Sequence, residues 1–221
     1  MNNKYCLVCT PRSGSFYVLK HLSETMNLDN GKEWFGRVKE VHYDKLKTSP
    51  VDIDHSINEG LLSKKEISKR LLYLKNYSAP FIIKCMPFQL TNTIEEINLS
   101  FEERQHIATK VLNNFSLIYL ENRDKISQFC FDVISKNQDY VRRNFTSYNS
   151  SIRETPPNNS ITATKDHFDS FMDRQNFVKD FRKRNWKDEP IIYYEDYIED
   201  NDIKIINNPE YKNIFTNYKE I

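Results

Sequence analysis

Residues 5–17 carry the side chains and the turn best suited to chemistry in this chain. A short apolar run over residues 5–9 is typical of a buried strand, and it breaks at Thr10-Pro11. Gly14 lies between two serines, and helical spacing follows. A strand, a turn of small residues and a helix direct main-chain N–H groups and the positive end of a helix dipole at an anion. Because Arg12 adds a fork of charged donors, the stretch predicts a cradle for phosphate or sulfate.

Two other phosphate loops fit this stretch poorly. A Walker A loop requires a second glycine followed by lysine, whereas this turn has one glycine and no lysine after it. Cys6 and Arg12, followed by Ser13, have the Cys-x5-Arg-Ser spacing of tyrosine phosphatases. In a phosphatase the intervening residues wrap the phosphate, but here residues 7–11 are mostly strand. The thiol would lie inside the sheet, where apolar surroundings raise its pKa, so we disfavour a phosphatase.

The stretch from Pro11 to Ser15 resembles the 5′-phosphosulfate loop of sulfotransferases that use 3′-phosphoadenosine 5′-phosphosulfate (PAPS). The segment Gly31-Lys32-Glu33-Trp34-Phe35 is similar to the bacterial Stf-zero (trehalose sulfotransferase-like) branch, in which an acidic residue and two aromatics occupy the same place. The competing interpretation of the loop is an ordinary strand-to-helix turn. The resemblance implies the P-loop-NTPase-like sulfotransferase fold, with PAPS as the donor.

The resemblance assigns the donor-binding loop to six consecutive residues: Arg12, Ser13, Gly14, Ser15, Phe16 and Tyr17. The cytosolic enzymes have lysine where Arg12 stands and threonine where Phe16 stands. Part of the grip on the phosphosulfate is therefore expected to come from main-chain N–H groups. Tyr17 falls where an aromatic ring stacks on adenine in the family, although packing of the helix on the sheet would explain it equally well.

A second anchor is expected at the end of the third strand. In the family an arginine there binds the 3′-phosphate, and Arg123 matches it. The family also has a serine two helical turns later, where this chain has Phe131; Ser127, one turn nearer, is the candidate replacement. An ion pair of Arg123 with Asp124 or Glu121 is the competing interpretation.

The acceptor hydroxyl needs a general base. In cytosolic sulfotransferases the base is a histidine two residues after the lysine that ends the second strand; here Lys84 matches the lysine, but the histidine position is Met86. The Stf-zero branch also lacks that histidine, so the resemblance makes Glu33 the candidate base. We expect a raised pKa for Glu33 beside an anion and aromatic rings, which would suit proton abstraction near neutrality. His42 and His55 are weaker candidates.

The reaction implied is in-line transfer of a sulfuryl group to a hydroxyl of a carbohydrate or another small molecule. Its transition state should be loose, so that positioning and charge stabilisation dominate. Arg12 and the loop amides would neutralise the departing 5′-phosphate, and Lys84 would steady the sulfuryl oxygens. No metal is required. The alternatives are a P-loop-like nucleotide kinase, and a protein that binds PAPS or its product 3′-phosphoadenosine 5′-phosphate (PAP) without turnover.

The elements that must position these residues alternate along the chain. Apolar runs typical of buried strands occur at residues 5–9, 81–83, 115–120 and 190–194, with helical spacing between them. This order predicts an α/β fold with a mostly parallel central sheet flanked by helices, in which ligands bind at the carboxyl ends of the strands. The motif Tyr194-Glu195-Asp196 after the last strand matches one that recurs in the family, where we expect it to position neighbouring loops.

The 221 residues allow one domain, 1–221, in which residues 146–164, rich in Ser, Thr, Asn and Pro, are expected to form an exposed loop. Residues 36–62 are expected to be loop with a short helix. A formal net charge of +1 gives no indication of a nucleic-acid partner. With no signal peptide and no long apolar run, we expect a cytoplasmic protein without a membrane partner. The Stf-zero precedent suggests a homodimer.

Four scattered cysteines are expected to be buried free thiols in a reducing compartment. Cys6 and Cys9 form a C-x-x-C pair, but residues three apart on a strand point to opposite faces of the sheet. No second cysteine or histidine pair lies nearby, so neither zinc nor a disulfide is predicted.

Overall fold

The computed structural model describes residues 3–35, 38–42, 46–50, 63–91, 99–136, 161–185, 190–201, 215 and 217. The strands are β1 (Lys4–Cys9), β2 (Asp29–Asn30), β3 (Val38–His42), β4 (Lys47–Pro50), β5 (Phe81–Cys85), β6 (Ser116–Glu121) and β7 (Ile191–Tyr193). The helices are α1 (Ser15–Thr25), α2 (Lys64–Asn76), the short 3₁₀ helix Pro87–Leu90, α3 (Phe101–Leu112), α4 (Lys125–Lys136), α5 (Lys165–Asn185) and α6 (Tyr194–Asp200).

Five strands form one parallel sheet in the order β2-β5-β1-β6-β7. Strand β1 lies at the centre, with Tyr5 opposite Ile82 on one side and Ser116 on the other. This arrangement confirms the predicted α/β fold with a parallel sheet and flanking helices. The two-residue edge strand β2 was not predicted, because two polar residues carry no detectable strand pattern.

Helices cover both faces of this sheet, as predicted. On one face, α2, α3 and α5 pack over a core that includes Cys6 and Val8, while α1 and α6 pack over Leu7 and Cys9 on the other face. Residues 6–9 are fully buried, which explains why this strand is a continuous apolar run. Cys6 and Cys9 therefore point to opposite faces, and all four cysteines are buried and free, as predicted.

The expectation for residues 36–62 was wrong where the structure describes them. Instead of loop and a short helix, β3 and β4 form an antiparallel pair, in which His42 is opposite Lys47. The pairing joins two largely polar segments, so no apolar alternation marked them as strands. His55 lies outside the described residues.

The segment 146–164 is described from residue 161 onward. Ile161 forms a bridge with Phe215, and both side chains are buried. The main chain of Ala163 exchanges two hydrogen bonds with the Asn217 side chain, at 3.1 and 2.9 Å. Residues 146–160 lie outside the described residues, so the exposed loop stays a prediction there. In the described part of the chain, no helix is long and apolar enough to cross a membrane.

Candidate functional site

The loop between β1 and α1 lies at the carboxyl end of the central strand, where parallel sheets place ligands. Two of its residues, Arg12 (φ 59°) and Gly14 (φ 75°), adopt the left-handed region. For Arg12 this conformation costs about 1–2 kcal/mol, so surrounding contacts must hold it. Ser13 contributes one of them, since its buried hydroxyl donates to the Thr10 carbonyl at 2.8 Å.

Gly14 is also the N-cap residue of α1, directly before its first residue, Ser15. The amides of Tyr17 and Val18 donate to its carbonyl, so the earlier amides of the first turn have no acceptor within the helix. A side chain at Gly14 would overlap the Tyr194 ring, because a Cβ built there lies 2.0 Å from Tyr194 Cε2. The loop is thus packed beneath an aromatic ring from the start of α6. Burial raises the pKa of Tyr194 to about 12, and the neighbouring Tyr17 and Glu195 add to the shift.

Glu33 and Lys84, predicted separately as base and sulfuryl-binding residue, form an ion pair. Glu33 Oε2 and Lys84 Nζ are 2.6 Å apart, and each side chain is 16% exposed. The second carboxylate oxygen of Glu33 accepts a hydrogen bond from Gln89 Nε2 in the 3₁₀ helix after β5. Gln89 is itself oriented by the Met86 amide, which donates to Gln89 Oε1 at 3.1 Å. Sequence reasoning missed Gln89.

The two aromatic residues after Glu33 anchor it in the core. Trp34 and Phe35 are fully buried, and the Trp34 ring stacks on Tyr73 with centroids 5.4 Å apart. Arg70 in α2 donates to the Trp34 carbonyl at 2.8 Å, and Trp34 Nε1 donates back to the Arg70 carbonyl at 3.3 Å. These contacts fix the main chain next to Glu33, so its carboxylate is held toward Lys84.

In the structure the pKa of Glu33 is lowered, opposite in direction to the rise that we expect beside a bound anion. Burial does raise the pKa of this carboxyl, but the charge and hydrogen bond of Lys84, the hydrogen bond from Gln89 and the charge of Arg12 outweigh it. The net result is a pKa below the usual value. Without other changes at the site, Glu33 is therefore an ionised partner of Lys84 rather than a base near neutrality.

The same charges surround Cys9 at the end of β1. Burial raises the pKa of this thiol to about 11. The Lys84 charge and hydrogen bonds with Ser15 and Ser13 oppose that shift, while the Glu33 charge adds to it. The predicted catalytic pair and both loop serines therefore lie around one buried thiol, and Arg12 acts on Glu33 from nearby. The structure brings Glu33, Lys84 and the loop into one site.

Arg12 makes a contact that the sequence did not predict. Its guanidinium carbon lies 5.1 Å from the centroid of the half-buried Phe131 ring in α4, a cation–π geometry. The aromatic ring of Phe131 thus orients the arginine of the loop. Phe16 lies on the first turn of α1, edge-on to Tyr17 with ring centroids 6.2 Å apart.

Arg123 contacts residues of β7 and α6. Its guanidinium donates to both carboxylate oxygens of Asp196, at 2.6 and 2.8 Å, and lies 4.0 Å from the Tyr193 ring centroid. The hydrogen bond with Asp196 raises the pKa of Arg123. Glu195 accepts from the amides of Arg123 and Asp124, at 2.8 and 3.0 Å. These bonds agree with the loop-positioning role expected of the acidic motif.

Ser127 lies in the first turn of α4, where its amide donates to Asp124 Oδ1 at 2.9 Å. This bond caps the helix. Ser127 is four residues after Arg123 along the chain.

A scan of the chain against protein-family models found no matching family, and a search among curated proteins found no match. What the site can do therefore follows from its own residues: a helix N-terminus, a loop arginine and a buried lysine–carboxylate pair. Such a set suits an anionic group whose charge is redistributed in a reaction.

Proposed function

We propose that the protein is a sulfotransferase that moves the sulfuryl group of PAPS to a hydroxyl of a carbohydrate or another small molecule. One observation carries the proposal: Lys84 and Glu33 form a buried pair beside the loop at the end of β1, within electrostatic reach of Arg12. A group transfer needs cations that stabilise the leaving group and a base that accepts a proton. The cationic groups and the carboxylate beside this loop can fill these two roles.

The loop binds the 5′-phosphosulfate in this proposal. Arg12 and the first amides of α1 stabilise the charge that develops on the 5′-phosphate, with Phe131 holding the guanidinium in place. At the other end of the nucleotide, Arg123 binds the 3′-phosphate. Its guanidinium has five N–H donors, and Asp196 takes two of them. PAPS supplies the activated sulfuryl group.

Glu33 must gain proton affinity when donor and acceptor bind, because its ion pair lowers its pKa. Lys84 provides the means, since its ammonium can turn from the carboxylate to a sulfuryl oxygen. With Lys84 engaged elsewhere, burial would raise the pKa of Glu33 toward the value that a general base needs. Glu33 would then accept the proton of the acceptor hydroxyl.

Turnover of labelled PAPS across a panel of sugar and small-molecule hydroxyl acceptors tests the proposal. We expect transfer to at least one acceptor, and a loss of kcat of about 100-fold or more in Glu33→Gln, the usual contribution of a positioned base. Glu24→Gln is the matched control, because Glu24 is an exposed carboxylate whose partner Lys20 is 3.9 Å away. Unchanged turnover in Glu33→Gln would remove Glu33 as the base.

The binding-only alternative has support from the same ion pair, since a carboxylate that never leaves Lys84 cannot take a proton. The two functions differ in a direct way. A binding protein should bind PAP but transfer no labelled sulfuryl group from PAPS to any acceptor. The proposed enzyme should bind PAP and also transfer the sulfuryl group. A protein that binds neither PAP nor PAPS would contradict both functions.

A further inference from the structure

Gln128 is a buried amide that joins α4 to the loop. The residue is 1% exposed, and its Nε2 donates to the Thr10 hydroxyl at 2.7 Å and to the Pro11 carbonyl at 2.5 Å. Both acceptors lie directly before Arg12, where the chain enters the left-handed region. Two bonds from one side chain therefore fix the main chain at the point where the strand becomes the loop.

The chemistry of its neighbours fixes which way the Gln128 amide points. The Pro11 carbonyl can only accept a hydrogen bond, and the Lys125 ammonium, 3.5 Å from Gln128 Oε1, can only donate one. The amide nitrogen must therefore face the loop. Lys125 also donates to Oε1 of the buried Gln175 in α5, at 3.4 Å. The loop is thus connected to α5 through two side chains of α4.

The same helix holds the loop at a second point. Phe131 is three residues after Gln128, so the two side chains lie on one face of α4, and its ring contacts the Arg12 guanidinium. Gln128 therefore holds the main chain of the loop, and Phe131 contacts the Arg12 side chain of the same loop. Since two of the loop residues are in left-handed conformations, the loop depends on such external bonds to keep its shape.

We propose that Gln128 is a positioning residue, which holds the loop in its anion-binding conformation and thereby sets the affinity for the phosphosulfate without touching it. The effect on affinity rests on the proposed function. The effect on the loop itself does not.

Hydrogen exchange of the amides of residues 12–16, measured without ligand in the full chain, tests the effect on the loop. We expect exchange in Gln128→Leu to be about tenfold faster than in the wild type, because the Thr10 hydroxyl and the Pro11 carbonyl both lose their hydrogen bond from residue 128. Gln105→Leu is the matched control, because Gln105 is a buried amide that bonds to the Phe177 carbonyl instead. Equal loop exchange in Gln128→Leu and Gln105→Leu would overturn the proposal.

Gln128→Glu provides a second variant, should the leucine variant fail to fold. An ionised carboxylate cannot donate to the Pro11 carbonyl, whereas a protonated one can. Relative to the wild type at the same pH, loop exchange in Gln128→Glu should be faster at pH 8 and should approach the wild-type rate as the pH falls. A ratio to wild type that is independent of pH would overturn the role of the donated bond.

Steady-state kinetics test the effect on affinity. In Gln128→Leu, or in Gln128→Glu at pH 8, KM for PAPS should rise about tenfold with kcat changed much less, because the bond acts equally on the ground state and the transition state. A loss in kcat alone would contradict the positioning role. If the wild type neither binds nor turns over PAPS, the proposed function fails, and the exchange ratios still decide whether Gln128 holds the loop.

Discussion

Replacing Lys84 by methionine is expected to lower the free energy of unfolding at pH 7 by about 3–5 kcal/mol, the usual cost of leaving one member of a buried ion pair without its partner. Glu33, which is 16% exposed beside Lys84, would keep Gln89 as its hydrogen-bond partner. In the proposed reaction the same change removes the cation on the sulfuryl oxygens, so kcat should fall by about 100- to 1,000-fold. Chemical denaturation and PAPS turnover measure the two effects.

Two further variants separate stability from catalysis. Lys20→Met removes a lysine from an exposed pair with Glu24 and should change the free energy of unfolding by less than about 0.5 kcal/mol. The double variant Lys84→Met/Glu33→Gln removes both charges, so it should be more stable than Lys84→Met and equally inactive. If the free energy of unfolding of Lys84→Met equals that of the wild type, the Glu33–Lys84 pair is not the buried interaction described above.

The stability cost of Lys84→Met should depend on pH. In the wild type the pKa of Glu33 is lowered, so its contribution to stability is present above the ordinary glutamate pKa and is lost as the pH falls through the lowered pKa. In Lys84→Met, only Gln89 and Arg12 remain to oppose the effect of burial, which raises the pKa of Glu33. The pKa of Glu33 should therefore rise above its wild-type value. The difference in stability between the two proteins should therefore shrink at acidic pH.

Gly14→Ala should damage the loop more than any other single methyl group added to it. A non-glycine residue at φ 75° costs about 1–2 kcal/mol, and the added Cβ would lie 2.0 Å from Tyr194 Cε2, so that ring must also move. Overpacking of this kind costs a further amount of about 1–3 kcal/mol. We expect a lower free energy of unfolding by denaturation, and loss of PAP binding by titration.

The chain offers a matched control and a partial rescue. Gly31→Ala brings a Cβ within 2.7 Å of an Ile83 methyl group, but at an ordinary φ and without overlap with Tyr194, so its loss of stability should be smaller. Gly14→Ala/Tyr194→Ala removes the overlap and keeps the strained φ, so it should recover part of the lost stability. If Gly14→Ala is as stable as the wild type, the described loop conformation is wrong.

The inner strands β1 and β5 of the central sheet were predictable because they are buried on both faces. Residues 6–9 and 81–83 are continuous apolar runs, and their burial in the two cores explains that composition. Strands β2, β3 and β4 were not predicted, because they are short or polar and form through pairing with distant or neighbouring segments. Pairing partners leave no mark in a local pattern.

The residue types of the candidate site could be picked out from the sequence, but the contacts between them could not. Glu33 and Lys84 were assigned separately, and it is their 2.6 Å approach, together with Gln89 and Arg12, that lowers the pKa of Glu33. Gln128 carries no sequence signal at all, since it is 117 residues from the Pro11 carbonyl that it binds. Contacts at such separation depend on how α4 packs against the loop, which periodicity does not specify.

Calorimetric titration of the protein with PAP, ATP and GTP tests most directly whether the loop around Gly14 binds an adenosine 3′-phosphate 5′-phosphosulfate. We expect PAP to bind more tightly than either triphosphate, and we expect Arg123→Met to remove most of that preference, because Arg123 is the proposed partner of the 3′-phosphate. Equal or tighter binding of ATP or GTP without metal, or no heat with PAP at all, would contradict the account.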